Sequence, residues 1–309
     1  MIIAKQLFFI SIFSIVLFAN DYDYNLKPEK VAENTYVFIG KKEFFNVENG
    51  GNISNTAFIV TKDGVIVIDT GSSSKYGEQM KIAISKITKK PIVLVLNTHH
   101  HPDHFLGNSA FKDVKIIATK HTKDDITNNG DMYIDNLINL TYKWMQGTRV
   151  KAPNIELDEV KDKYIKLGKH KLKLIYLEGH TDSDLVLFDE YTKTLFASDL
   201  IFYNRIAATP HANIKKWINA IENLRQVSYK VLVPGHGPIS KTKEPFDQLK
   251  SYLIYLDKTL RDSAKKGLSV FEVLQLPKPE EFKNLSMIED EFERSVINLY
   301  PRYENELMH

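Results

Sequence analysis

Thr98-His99-His100-His101-Pro102-Asp103-His104 is the stretch around which the rest of this chain is read. Four of the ten histidines and one carboxylate fall within six residues. The hydrophobic run Pro91-Ile-Val-Leu-Val-Leu-Asn97 stops directly before it. A buried strand that ends in a knot of imidazoles delivers side chains to a rigid edge. Neutral imidazole and carboxylate are the donors a borderline divalent ion such as zinc prefers.

Three later stretches also follow predicted strands: Leu177-Glu-Gly-His180-Thr-Asp-Ser-Asp184, Phe196-Ala-Ser-Asp199-Leu200 and Val233-Pro-Gly-His236-Gly237. Glycines beside His180 and His236 allow the tight turns that aim an imidazole inward. Asp199 closes an apolar strand, where a buried carboxylate needs a partner such as a cation. Upstream, Ile66-Val-Ile-Asp69-Thr-Gly71 ends another buried strand on a carboxylate.

Outward from these landmarks, strands are expected at Thr35–Ile39, Asn55–Val60, Val65–Asp69, Val114–Ala118 and Val231–Val233. Hairpins are expected across Asp63-Gly64, around Gly168, and between Leu185–Phe188 and Thr194–Ala197. Helical periodicity marks residues 75–88, 134–145, 214–227 and 244–266, and a last helix from Ile288 that stops at Pro301. The strand–helix–strand order points to an α/β fold with its ligands at the carboxyl edge of a sheet. Residues 20–30 read as a loose lead-in, and 43–54 as a flexible loop or hairpin tip.

The 309 residues, 43% of them hydrophobic, suit one large domain or two modest ones. With 41 basic and 39 acidic residues there is no field for a nucleic-acid polyanion. Lys5 and the apolar run Leu7–Phe18, with Leu17 and Ala19 at the −3 and −1 positions of a cleavage after Ala19, read as a secretory signal peptide over residues 1–19. The alternative is an uncleaved anchor, although the run is short of the roughly 20 residues a span needs. Either way the body is expected in a bacterial periplasm. The chain has no cysteine, which removes disulfides, thiolate ligands, a thiol nucleophile and a lipoprotein anchor together.

These motifs resemble those of metallo-β-lactamase-fold hydrolases. His99, His101, Asp103 and His104 match the family's H-x-H-x-D-H signature; His180 and His236 match its later histidines, and Asp199 its bridging carboxylate. Order and spacing agree from about residue 50 to 237. The resemblance implies an αββα sandwich over residues 31–245 with a C-terminal helical extension, 246–309, packed on it. It implies two zinc ions, one held by His99, His101 and His180, the other by Asp103, His104 and His236, with Asp199 between them. Asp69 matches a strand-end carboxylate that orients a ligand histidine. Asn49-Gly-Gly-Asn-Ile-Ser-Asn-Thr56, Asn97 to Asn108, Thr209-Pro-His-Ala212 and Glu291-Phe-Glu-Arg-Ser295 further resemble the exported quinoprotein relay system zinc metallohydrolases, relatives of a hydrolase encoded in sulfur-oxidation clusters. That closer likeness implies a periplasmic quinoprotein dehydrogenase or c-type cytochrome as partner. Two departures stand out: no cysteine occupies a metal position, and Ser198 stands where many relatives have glycine, which would narrow the pocket.

Two divalent ions roughly 3.5–4 Å apart share a water-derived nucleophile and clamp an oxyanion. The expected function is therefore hydrolysis of a small-molecule ester, thioester, lactone or amide, β-lactams included, with Asp103 as the candidate catalytic carboxylate. The competing classes are an iron-dependent sulfur or persulfide dioxygenase, which needs only two histidines and one aspartate, and a non-catalytic accessory protein with structural zinc. The full second ligand set argues against the first, and two adjacent open His/Asp sites against the second. His100, between two ligands of an extended segment, should point away. His211, Tyr203 and Gly51 are candidates for a substrate pocket. For Tyr203 and its neighbour Arg205 the competing reading is ordinary loop packing; for His211 it is opening the following helix. Gly50 and Gly51 suit either a mobile flap tipped by Phe44 and Phe45 or a plain hairpin. His121, His170 and His309 read as structural or surface histidines, and the Leu-and-aromatic stripe of 246–260 as core.

Overall fold

A computed structural model describes residues 22–307; the export leader read at 1–19 and His309 lie outside them. Two sheets face each other. The first collects β1 (Glu29–Ala32), β2 (Thr35–Phe38), β3 (Thr56–Val60) and β4 (Val65–Ile68), then, after helix α1 (Ser74–Ile87), β5 (Ile92–Leu96). The short α2 (Pro102–Phe105) and a 3₁₀ turn (Leu106–Ala110) lead to β6 (Lys115–Thr119), α3 (Lys120–Thr141) and β7 (Ile155–Leu157). Strands run in sequence order, antiparallel through β4 and parallel from β4 to β7. The second sheet holds β8 (Tyr164–Leu167), β9 (His170–Leu177), β10 (Asp184–Asp189) and β11 (Thr194–Phe202); after α4 (Ile214–Arg225), β12 (Val231–His236) adds parallel to β11. The chain finishes in α5 (Glu244–Lys265), α6 (Val270–Leu274), α7 (Glu280–Lys283) and α8 (Ile288–Leu307).

The period-2 alternation of the strands explains the layering. In β4, Ile66 and Ile68 face the second sheet and join Leu174, Leu185, Leu187 and Val233 in a central core. Val65 and Val67 face the other way, against Tyr76, Met80 and Ile84 of α1. The outer face of the second sheet, Val186, Leu195, Ala197 and Leu232, is covered by Trp217 and Ile221 of α4, Leu253 and Leu256 of α5 and Val296 of α8. This is the expected αββα sandwich, with the helical extension closing its outer layer. No helix among the described residues is long and apolar enough to cross a membrane.

Three local expectations are corrected. The lead-in is not loose: Tyr22 and Tyr24 pack on Trp144, and the Tyr24 hydroxyl donates to Gly50 O at 2.8 Å. Its tyrosines find an aromatic partner more than a hundred residues away, which no local pattern reveals. The 43–54 segment is neither a hairpin nor a loosely attached flap. Asn49 donates to the Glu43 carboxylate and to Phe44 O, Asn46 Oδ1 accepts from two backbone N–H groups, and Gly50 lies flat against the Trp144 ring. The asparagines that read as loop formers are its internal ties. The last helix does not stop at Pro301 but continues to Leu307. Proline removes one helical bond, yet Ile297, whose carbonyl would have received it, lies on an exposed turn. Tyr303 beyond it donates to Asp257 of α5 at 2.7 Å.

Candidate metal centre

Strand ends from both sheets meet at one edge. β4 leads into Asp69, β5 leads into His99, His101, Asp103 and His104, β9 leads to His180, and β11 and β12 carry Asp199 and His236. Asp199 sits where the β11–β12 register slips, next to Ser198 at φ +47°. Gly235 lies alongside: a Cβ there would stand 2.0 Å from Asp199 Oδ1, so only glycine leaves room for the carboxylate.

The seven side chains fall into two sets. His99, His101, His180 and Asp199 bring one donor atom each within 4.8 Å of one another, and so do Asp103, His104 and His236. In the first, His101 Nδ1 is 2.8 Å from His180 Nε2, and Asp199 Oδ2 is 3.3 Å from His180 Nε2 and 3.8 Å from His99 Nε2. In the second, Asp103 Oδ2 is 3.4 Å from His236 Nε2 and 3.6 Å from His104 Nε2. Asp199 reaches this set too, with Oδ1 3.1 Å from His104 Nε2 and Oδ2 3.1 Å from His236 Nε2. Donors about 2.0–2.1 Å from a tetrahedral zinc stand about 3.4 Å from each other, so these spacings match its ligand shell. His99 Nε2, His104 Nε2 and Asp199 Oδ1 are buried yet make no hydrogen bond. Buried polar atoms without partners are costly, and one cation in each set would satisfy them. The residues present fit a pair of zinc ions.

Electrostatics agree. Burial pushes the imidazoles of His99 and His101 well below their ordinary range and His180 down to about 3, which leaves neutral nitrogen lone pairs. Burial works the same way on His104, but Asp199, Asp103 and Asp69 outweigh it and hold that group well above its ordinary value. The carboxylates therefore demand positive charge at His104 Nε2. Burial opposes the charge on Asp199, yet His236 and His104 keep it well below the usual carboxylate range.

A second ring of contacts fixes the rings. Asp69 Oδ2 accepts from His104 Nδ1 at 2.8 Å, while Thr98 donates its N–H and hydroxyl to the same carboxylate. His236 Nδ1 donates to Ile53 O at 2.8 Å, so Nε2 is the free nitrogen turned to the cluster. His211 Nδ1 lies 2.9 Å from His101 Nε2, so His101 turns its other nitrogen to His180. Asp184, unassigned from sequence, accepts from His180 N and from Thr181 N and Oγ1 and closes the turn that carries His180. Burial raises its carboxyl to about 7 against those bonds. Its only local signal is the threonine three residues ahead. Ser198 does not narrow the cavity: its hydroxyl is 2.7 Å from Thr98 Oγ1, behind the ligands. His100 points off the cluster, stacked by Tyr133, with His211 3.5 Å away.

The cluster opens into a cavity of about 500 Å³ reached by Asp103, Asp199, His101 and His236. Of the pocket candidates, His211 lines it. Gly51 and Tyr203 do not. Gly51, at φ +86°, is turned onto the Ser72 side chain. Tyr203 is held by its own backbone, its N–H donating to His236 O and its carbonyl pressed against Gly237. The walls come instead from Phe44, Phe45, Met132, Tyr133, Arg205 and Arg294.

A sequence model described as "Metallo-beta-lactamase superfamily" matches residues 49–236. Among curated proteins, a linear primary-alkylsulfatase from Pseudomonas sp. is 22% identical over 259 residues, 70% of this chain and 48% of the relative, so the chain spans about half of that protein. Metallo-beta-lactamase IND-1 from Chryseobacterium indologenes is 25% identical over 223 residues, 69% of this chain and 82% of the relative. The solved structure of a metallo-beta-lactamase from Pontibacter korlensis superposes with a TM-score of 0.61 at 23% identity, covering 74% of this chain and 98% of that one. With a family match across more than half of its length and the same fold in solved relatives, the chain belongs to the metallo-beta-lactamase superfamily.

Proposed function

We propose that this protein is a periplasmic hydrolase that uses two zinc ions per chain to cleave an ester, thioester, lactone or amide. One observation carries the reading: two adjacent donor sets share Asp199, their unpartnered nitrogens and oxygen are buried, and the group floors a cavity of about 500 Å³. His99, His101 and His180 would hold one ion and Asp103, His104 and His236 the other, with Asp199 in reach of both sets. A divalent pair at that place supplies Lewis-acid chemistry, polarising a carbonyl oxygen and lowering the pKa of a water toward neutrality. The chain's own groups then orient and relay. Asp103, which faces the cavity, accepts a hydrogen bond from the attacking water and takes its proton. Asp69 keeps the His104 proton on Nδ1, so that Nε2 stays a donor to metal. His211 does the same for His101 through its Nε2.

The alkylsulfatase and β-lactamase relatives differ in the bond they cleave, so membership of the superfamily does not choose the substrate. Export to the periplasm rests on residues 1–19. A quinoprotein dehydrogenase or c-type cytochrome as partner rests on the four motif stretches from Asn49 to Ser295.

Elemental analysis of protein taken from its own periplasm, with thioester, lactone, β-lactam and alkyl sulfate substrates, tests the reading. Expected are about two zinc ions per chain and loss of metal and turnover together on chelation. Full turnover by metal-free protein overturns it. One redox-active iron per chain with oxygen-consuming turnover replaces it with the dioxygenase class.

A further inference from the structure

We propose that His100, His101 and His211 form a third metal site at the rim of the cavity, which takes one further zinc-type ion once the two donor sets around Asp199 are filled. It shares His101 with the hydrolase reading and otherwise rests on different atoms. The three imidazoles bring one nitrogen each within 4.8 Å of one another. His101 turns Nδ1 to His180, so Nε2 is the nitrogen on the outer edge of its ring. That Nε2 lies 2.9 Å from His211 Nδ1, and His100 Nε2 lies 3.5 Å from the same atom. Nitrogens about 2.0–2.1 Å from one ion stand about 2.9–3.5 Å apart when they subtend about 90–115° at it.

Without an ion these nitrogens cannot all be satisfied. A neutral imidazole has one N–H and one lone pair. His101 Nε2–H donates to His211 Nδ1, which uses the lone pair of His211. His100 Nε2 is left facing an acceptor already taken, at a distance too long for a firm bond. Its other nitrogen, Nδ1, is buried with no partner. His100 is thus a buried imidazole, 4% exposed, without one good hydrogen bond. Packing alone does not account for it. Its ring stacks on Tyr133 at 6.3 Å, a place that phenylalanine fills without burying a polar nitrogen. An ion that accepts three lone pairs removes the conflict, and on entering it displaces the proton of His101 Nε2 to solvent.

The charges of Asp125 and Asp182 act on both His100 and His211 in the sense that favours a cation, while Arg294 and Arg302 oppose it at His211. Three imidazoles without a carboxylate suit zinc or copper(II) rather than magnesium or calcium. His211 is exposed, and both His101 and His211 line the cavity, so the ion has a path in from solvent. Held there, it stands beside the route of the substrate, and its binding should slow turnover.

The test dialyses zinc-loaded protein against buffers of stepped free zinc and counts metal per chain by elemental analysis. The parent is expected to rise from about two to about three zinc ions per chain, and His100→Phe, which keeps a ring on Tyr133, to stay one ion lower at the highest level. His211→Asn, whose amide oxygen still accepts from His101 Nε2, should also stay one ion lower. Circular dichroism checks each fold, and if one variant does not fold the other carries the comparison. Equal zinc in parent and variants at every level overturns the proposal. The count is a difference between proteins, so it decides whether or not any ester is cleaved; absence of turnover strikes the hydrolase reading alone. Where an ester is cleaved, the parent should lose turnover over the zinc range in which the third ion binds, and His100→Phe should resist that loss. A loss that His100→Phe shares in full overturns the link between the third ion and turnover.

Discussion

Asp69 shows how a single residue supports the candidate centre. It adopts φ +58°, a conformation most side chains avoid, at the end of a strand buried on both faces. There its carboxylate meets His104 Nδ1 and both donors of Thr98. Asparagine tolerates the same backbone, so Asp69→Asn isolates the chemistry of the carboxylate from the turn. We expect zinc affinity, read by chelator competition, to fall about 10–100-fold while the far-ultraviolet spectrum stays unchanged. Gly235 is constrained by space rather than backbone angle. In Gly235→Ala the new methyl and Asp199 Oδ1 cannot both keep their positions, so metal content measured after dialysis should drop below that of the parent protein. Neither effect is visible in the residue types alone, since the partners of Asp69 and Gly235 lie 29 to 36 residues away in the chain.

At the scale of elements, the β9–β10–β11 meander hangs on one carboxylate. Asp189 is buried at the end of β10 and accepts from His170 Nδ1 at 2.8 Å, Thr192 Oγ1 at 2.6 Å and Tyr191 N at 3.1 Å. Burial works to raise its pKa, but the bonds from His170 and Thr192 hold it below the usual carboxylate range. Asp189→Asn should cost about 1–3 kcal/mol, read from the urea midpoint at neutral pH. A depressed folded pKa gives stability that is complete above the unfolded value of about 4 and is lost as pH falls through the folded value. The gap between parent and variant should therefore be flat from pH 7 to 5 and close as the solution is acidified below about pH 4. His170 looks like a surface histidine in a lysine-rich hairpin, and only its pairing with Asp189 shows it to be structural. The elements themselves were largely legible: apolar alternation placed the strands and 3.6-residue periodicity placed the long helices. Pro301 was misleading because a proline's cost is local, whereas the packing of Tyr303 that outweighs it comes from another helix.

Across the whole molecule, the C-terminal helices are part of the sandwich. Leu253, Leu256, Val296 and Tyr300 cover the outer face of the second sheet together with α4. Removing residues 246–309 would bare that face, and the truncated chain should show no cooperative thermal transition, even though the family match ends at residue 236. Metal removal should act differently. The central core and both outer layers are apolar, and they meet the donor cluster at an edge where Phe202 and Trp217 pack on His236 and His180. Chelated protein should keep its secondary structure and melt earlier, by the linkage that gives about 2.7 kcal/mol at a hundredfold excess of metal over its dissociation constant. Complete unfolding on chelation, followed by circular dichroism, would contradict that division.

By itself the sequence determined the α/β class, the order of strands and helices, and the motifs that mark the donor cluster. These properties are local: they depend on apolar periodicity and on which residue follows a strand end. It also showed that no thiol takes part, since the chain contains no cysteine. Only the tertiary structure decided the surroundings of that cluster. His211 against His101, Asp184 under His180, Arg205 against Glu291, and the displacement of Gly51 and Tyr203 from the cavity wall all follow from how separate segments pack. Ligand types can be written into short motifs because each must leave a particular strand end. The cavity wall cannot, because its chemistry is set by side chains that meet only after the sheets close and α8 docks.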